Sequence, residues 1–364
     1  MSLNILEILL KEGVALRRGF RDRDYLQTVE DFYFCVVGNI HPNDRVISYL
    51  KYIPSPYGKW SRGENKFQRV MHYYTMLDLM GTIKFLERHP EYLYNSSVMD
   101  IRISAVPSDK ITVHLKPEER MMELAKMDGK DLDVLQGKTL DLASTISDES
   151  GVPLKYFGVT GSILLGIHMD FSDIDLIIYG MKNAERVKET LNQICEKADS
   201  QISRFNEEMA RQWCLNKTKM YPLTYDEAKH LFARKWGKGI FRGTVFSLHP
   251  VKLEDEISEK YGDRTFRPEG MIRIEARVSD DSESEILPSA YRVEDVKILL
   301  GPKISDIYEV TSYEGLYSGI ASKGEKIMAY GKLERVIDNR SGGEYHRVLV
   351  GSQEAKGRDY IKPL

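Results

Sequence analysis

The sequence predicts an α+β protein in three parts, and three observations carry that expectation. Short aromatic and β-branched runs recur at both ends of the chain. A strand–helix–strand–helix order occupies the middle. Turn signals separate the segments. At 364 residues the chain is long enough for two or three domains. It divides into an N-terminal α+β part over 1–116, a middle part over 117–262 and a C-terminal part over 265–364.

In the first part, residues 30–38 are aromatic and β-branched, as strands are. Residues 39–44 read as a turn, and 45–53 alternate as a second strand closed by Ser55-Pro56-Tyr57-Gly58. Residues 68–88 carry Met71, Tyr74, Leu77, Met80, Ile83 and Leu86 at helical spacing. Residues 100–103 and 110–115 read as a hairpin around Pro107-Ser108-Asp109.

The middle part opens with a helix at Pro117, where proline suits the first turn, and a second helix over 131–149. A strand over 155–159 leads to the turn Thr160-Gly161-Ser162 and a short helix over 163–167. A strand over 173–179 follows, stopped by Gly180. A helix over 182–198 then has Val187, Leu191 and Ile194 along its apolar stripe. In the last part, strand patterns at 271–278, 308–311, 326–333 and 346–350, with a turn cluster at 338–343, predict a small barrel or sandwich.

Composition narrows the function classes. The 52 Lys+Arg are outnumbered by 55 Asp+Glu, so any basic surface must be local. Cys35, Cys195 and Cys214 form no disulfide framework, and the 8 histidines have no zinc-site spacing. No run of 18 apolar residues predicts a membrane span, and Met1-Ser2-Leu3-Asn4-Ile5-Leu6-Glu7 lacks a basic leader. A reducing, cytoplasmic setting without membrane attachment is the expectation.

The sharpest chemical signal is Gly161-Ser162 followed, after ten residues, by Asp173-Ile174-Asp175. Ile174, Leu176, Ile177 and Ile178 mark a buried strand, which aspartate suits poorly. Carboxylates at i and i+2 project from one face and repel unless a cation neutralises them. Oxygen ligands favour Mg²⁺ or Mn²⁺. Glycine admits a close ligand, and Ser162 at a helix start leaves amides for a phosphate. A plain strand start and a plain turn remain the structural alternative.

Val159-Thr160-Gly161-Ser162 and Ser172-Asp173-Ile174-Asp175-Leu176 resemble the signature of the DNA polymerase β-like nucleotidyltransferase superfamily, over roughly residues 150–250. The resemblance implies a metal-dependent nucleotidyltransferase. Asp173 and Asp175 would be catalytic, holding Mg²⁺ or Mn²⁺. Gly161, Ser162 and Ser172 would bind the NTP. A hydroxyl acceptor would receive the nucleoside monophosphate as pyrophosphate leaves. The superfamily's third acid has no counterpart on the expected strand at 243–249. His249, sharing a face with Ser247, stands in that position; otherwise Glu254, Asp255 or Glu256 reaches back, or the acid is absent.

Residues 201–243 are rich in Lys and Arg interleaved with aromatics. Arg234, Lys235, Lys238 and Arg242 are the candidate contacts to phosphate or nucleic acid; the alternative is an amphipathic helix pair with an aromatic core stripe. The last part resembles an OB-like barrel, a fold that often binds single strands. These features make RNA or another nucleic acid a candidate acceptor. The competing expectation is a non-catalytic nucleic-acid-binding protein that retains a nucleotidyltransferase shell.

Overall fold

The computed structural model describes residues 18–197 and 199–364; the leader reading on residues 1–7 lies outside the described residues. The first sheet contains β1 (Tyr25–Thr28), β2 (Tyr33–Val36), β3 (Arg45–Pro54), β4 (Trp60–Arg62) and β5 (Asn65–Arg69). Helix α1 (Met76–Leu86) comes next, then β6 (Leu93–Ser96), β7 (Ile101–Pro107) and β8 (Ile111–Leu115). The order is β4-β5-β3-β2-β1-β8, with β7 beside both β3 and β6. Alternation gives the sheet two apolar faces. Leu26, Phe34, Val46 and Leu50 pack with Leu86 and Tyr92. Tyr25, Tyr33, Cys35 and Phe67 pack against Leu164, Leu165 and Ile167 of the middle part.

Two expectations are corrected here. Residues 68–75 are not helical: β5 pairs with the end of β3, and the helix starts only after Thr75, whose Oγ1 accepts from the Asp78 amide at 3.3 Å. Nor do β7 and β8 form a hairpin. β7 pairs with β3, whereas β8 pairs with β1 at the other end of the strand order. Only residues 108–110 join them. A chain spans about 3.5 Å per residue, so the sheet must curl until its ends approach.

The middle part contains α2 (Pro117–Lys126), α3 (Val134–Ser150), β9 (Phe157–Val159), α4 (Gly161–Leu164), β10 (Ile174–Tyr179) and α5 (Met181–Glu196). It continues through β11 (Ile202–Ser203), α6 (Glu207–Met220), α7 (Tyr225–Ala233), β12 (Lys238–Phe241) and β13 (Thr244–Val251). Its sheet order is β11-β12-β13-β10-β9, and β10 runs parallel to β13. Ile174, Leu176, Ile178, Phe246 and Leu248 face a core filled by α2, α3 and α5. The residues between them face the opposite way, and that face carries the chemistry. A capping box of Asp133 and Gln136 starts α3, and Gly151 at φ +64 ends it.

The last part contains β14 (Arg264–Asp280), β15 (Ser289–Leu300), β16 (Ile307–Ser312), β17 (Lys326–Asp338), β18 (Glu344–Val350) and β19 (Tyr360–Pro363). Pairing runs β14-β15-β16-β18-β17, and β17 returns to β14, so five strands close a ring with β19 added on β17. The sequence pattern at 289–300 concealed β15, because Arg292, Glu294, Asp295 and Lys297 break the apolar run. Ile272, Ile274, Val310 and Val348 fill the ring, and Cys214 of α6, Ala228 and Leu231 of α7 and Leu223 between the two helices join the same core. The protein is therefore α+β. No helix among the described residues is long and apolar enough to cross a membrane.

Gly158 permits α2 to lie on β9. A Cβ there would meet Pro117 Cβ at 2.7 Å and the Glu118 amide nitrogen at 3.0 Å. Gly158→Ala is expected to destabilise the protein by about 1–3 kcal/mol through overpacking. An unchanged urea midpoint would show that this approach is not tight.

Candidate functional site

Strand register assembles the site. Asp175 on β10 lies opposite Ser247 on β13, and Ser247 lies opposite Lys238 on β12. On the other side of β10, the Thr160 amide donates to the Asp175 carbonyl at 2.9 Å. One row across the sheet therefore runs Lys238, Ser247, Asp175, Thr160. Asp173, immediately before β10, opens onto the same cleft as Asp175. Ser247 Oγ donates to Asp175 Oδ1 and lies 2.7 Å from His249 Nε2. His249 Nε2 is 3.6 Å from that carboxylate. No Lys or Arg among the described residues makes an ion pair with either aspartate.

The electrostatics follow from this crowding. The charge of Asp175, and then burial, pushes the Asp173 carboxyl above its ordinary range. Burial alone would raise Asp175 as well. The adjacent His249 imidazole, the Lys51 charge and the Ser247 hydroxyl outweigh that and hold it far below the usual carboxylate range. Burial, then the nearby Arg23 charge, lowers the His249 imidazole to about 4 despite Asp175. Mg²⁺ commonly takes one or two protein carboxylates and completes its octahedron with water and phosphate oxygens. Two adjacent carboxylates with no cationic partner and an open cleft fit that donor set, although no cluster of three or more His, Cys, Asp or Glu stands together among the described residues.

The cleft measures about 550 Å³ and is walled by all three parts. Arg69, Lys217, Lys235 and Lys238 line it. None of the four has a carboxylate within ion-pair distance among the described residues. Arg69 lies over Tyr52 and Trp60, and Lys217 over Trp213 and Tyr221. Lys235 donates to the carbonyls of Gly315 (3.2 Å) and Ser318 (2.5 Å). Burial pushes Lys217 down to about 8 and Lys235 down to about 7, and it lowers Lys238 too. Buried cations without counter-charge are costly, and an anionic ligand would relieve that cost.

The sequence-based site residues separate into two sets. Asp173, Asp175, His249, Arg234, Lys235 and Lys238 reach the cleft. Gly161, Ser162 and Ser172 do not line it. Gly161, at φ +68, instead makes room for Asp175, whose Oδ2 would lie 3.0 Å from an added Cβ. Ser162 does not cap α4: it is buried inside that helix, and Thr160 is the cap residue. Ser172 closes a turn, its Oγ accepting from the Met169 amide at 3.1 Å.

Arg242 is paired with Asp141 away from the cleft, and Arg234 donates from both terminal guanidinium nitrogens, Nη1 and Nη2, to Glu325. Glu254 binds Arg21, and Glu256 accepts from the amides of Met181 and Leu253, so neither reaches back to the aspartates. Asp255 does not line the cleft either. The aromatics of 201–243 are largely committed as well. Phe232 packs on Phe205 and Trp213, and Trp236 Nε1 donates to Glu285 at 2.7 Å. This segment is mainly a helix pair on the C-terminal ring.

Sequence reasoning missed Arg23, Lys51 and Arg69. Arg23 faces the site because its carbonyl accepts from Thr160 Oγ1 at 2.8 Å, while Asp22 at 3.5 Å and other neighbours keep the buried guanidinium charged. Lys51 is buried over the rings of Tyr25, Tyr52 and Tyr74. An alternating strand containing a lysine was the available signal for Lys51; nothing local marks the other two.

The chain is 33% identical over 345 residues to the uncharacterized protein MJ1086 of Methanocaldococcus jannaschii, covering 94% of this chain and 98% of that protein. No family model matches the chain. No solved structure matches it.

His249 yields a pH prediction for the metal-free protein. Its folded pKa of about 4 lies below the unfolded histidine value of about 6.5. The unfolded chain therefore takes up the proton first, and this contribution to stability is lost as pH falls from about 6.5 through about 4. The urea-stability difference between wild type and His249→Gln should shift against wild type over that window. A pH-independent difference, or an NMR titration of His249 near 6.5, would contradict the buried neutral imidazole.

Proposed function

The chain belongs to the family of the Methanocaldococcus jannaschii protein MJ1086, and we propose that it is a metal-dependent nucleotidyltransferase. The observation that carries this reading is the pair Asp173 and Asp175 opening onto a cleft that also holds four cations without carboxylate partners among the described residues. Adjacent carboxylates suit a divalent ion, and the cations suit a polyphosphate. The mixed sheet with Asp173 and Asp175 at β10 supports a polymerase β-like core. The closed strand order β14-β15-β16-β18-β17, with β16 parallel to β18, supports an OB-like last domain.

In this reading Asp173 and Asp175 would hold Mg²⁺ or Mn²⁺, which when bound supplies Lewis-acid polarisation of the phosphoryl oxygens. Lys238, in the same cross-strand row as Asp175, holds the phosphates nearest the metal-binding pair. Lys217, Lys235 and Arg69 carry the remaining phosphate charge. Gly161 leaves the Asp175 carboxylate its room. Ser247 and His249 orient that carboxylate in the neighbourhood where a third acid was expected, and they add no negative charge at neutral pH. That no third carboxylate stands beside the pair among the described residues favours a second reading, a nucleotide-binding shell without transfer. RNA binding by residues 201–243 loses its main support, since Arg234, Arg242 and most of the aromatics have partners.

Incubation with Mg²⁺ and α-labelled NTPs over a panel of hydroxyl acceptors should transfer label and release pyrophosphate. Asp175→Asn should reduce transfer by about 100-fold or more, as loss of a central electrostatic group does. Lys238→Met should weaken NTP binding by about 10-fold, the loss of one charge-assisted contact. Binding of Mg²⁺ and NTP that is untouched in both Asp173→Asn and Asp175→Asn would end the proposal. NTP binding without transfer to any acceptor would favour the shell.

A further inference from the structure

The far wall of the same cleft is apolar. Ile47 and Tyr49 on β3 share a face with Ile101 and Ile103 on β7, because Ile47 pairs with Ala105 and side chains alternate. Leu79 and Ile83, one helical turn apart on α1, line the cleft beside them. All six are only half-buried, unlike Val46, Leu50 and Val106 on the opposite face of the strands. Their uncovered surface is turned toward the space that Asp173 and Asp175 also face. Tyr73 and Tyr74, both exposed, extend the lining toward solvent.

This wall is held in place from two sides. The Glu314 carboxylate accepts from the Met76 amide at the start of α1 at 2.9 Å. Tyr221 Oη donates to the Tyr74 carbonyl at 3.2 Å. The C-terminal ring and α6 therefore fix the segment that covers the cleft, and the space of about 550 Å³ falls within the range of small-molecule sites. Apolar lining with a few polar groups at one end is how such sites orient a ligand. A polynucleotide acceptor would meet this wall with charged phosphates, which it has no means to neutralise.

Resting on the nucleotidyltransferase reading, we propose that the acceptor is a small alcohol with an apolar or aromatic body. Its body lies against the wall of β3, β7 and α1, and its hydroxyl points to the aspartates. The hydroxyl oxygen forms a bond to the α-phosphorus. The bond from that phosphorus to the bridging oxygen breaks, pyrophosphate leaves with the electron pair, and the hydroxyl proton passes to water.

The test uses the full chain and two readouts. N-phenyl-1-naphthylamine, a neutral apolar dye, should bind wild type. Ile83→Gln and Ile103→Gln should each weaken it at least tenfold, as polar intrusion into an apolar pocket does, while Ile103→Val retains it. Both Gln variants should keep the circular dichroism of wild type and its affinity for a non-hydrolysable ATP analogue with Mg²⁺. Label from α-labelled ATP should enter 3-phenylpropan-1-ol or octan-1-ol, and not glycerol or an RNA oligonucleotide. Dye binding unaffected by the Gln substitutions, label entering RNA or glycerol, or no labelled alcohol despite nucleotide binding would each overturn the acceptor assignment while nucleotide binding stands. No binding of the ATP analogue to wild type would overturn the nucleotidyltransferase reading itself, and the acceptor with it.

Discussion

Two carboxylates separated by one isoleucine at the start of a buried strand are the constraint around which the site is organised. The Asp175 charge raises the neighbouring Asp173 carboxyl, so both cannot be comfortably ionised without help. The surroundings offer limited help. Ser247 and His249 engage Asp175, and Gly161 stays clear of it, while no lysine or arginine among the described residues closes on either acid. The neighbouring cations stand back in the cleft. That separation leaves room for a ligand between opposite charges.

The three parts of the chain depend on one another through this cleft. The middle sheet carries the aspartates on the face that its helices do not cover. The first sheet packs Tyr25, Tyr33 and Phe67 on Leu164, Leu165 and Ile167, just beyond Gly161, and so brings Arg23, Arg69 and an apolar wall to the site. The C-terminal ring receives α6 and α7 into its core and thereby holds Lys217 and Lys235 over the opening. No part encloses the cleft alone.

Residues 201–243 show how partners far apart in the chain redistribute charge that lies together in the sequence. Their lysines and arginines look like a nucleic-acid track. In the fold, Glu325 takes Arg234, Asp141 takes Arg242, and Glu208 takes Arg211. Only the last of these partners is local in the chain. Lys217, Lys235 and Lys238 turn inward to the cleft, Arg204 donates to the Trp236 carbonyl and Asn192, and Lys219 and Lys229 face solvent.

Local regularities were legible from the sequence. Strand alternation put Asp173 and Asp175 on one side and Ile174 and Leu176 on the other, and it set Ser247 and His249 against Phe246 and Leu248, because the period of two is a property of the backbone itself. The α+β class and the apolar stripe of α5 were legible for the same reason. The separation of β7 from β8, the closure of the C-terminal ring, the committed salt bridges and the apolar wall facing the aspartates were not. Each is decided by pairing between residues far apart in the chain, where many registers satisfy the same local pattern and only the packed tertiary structure selects one.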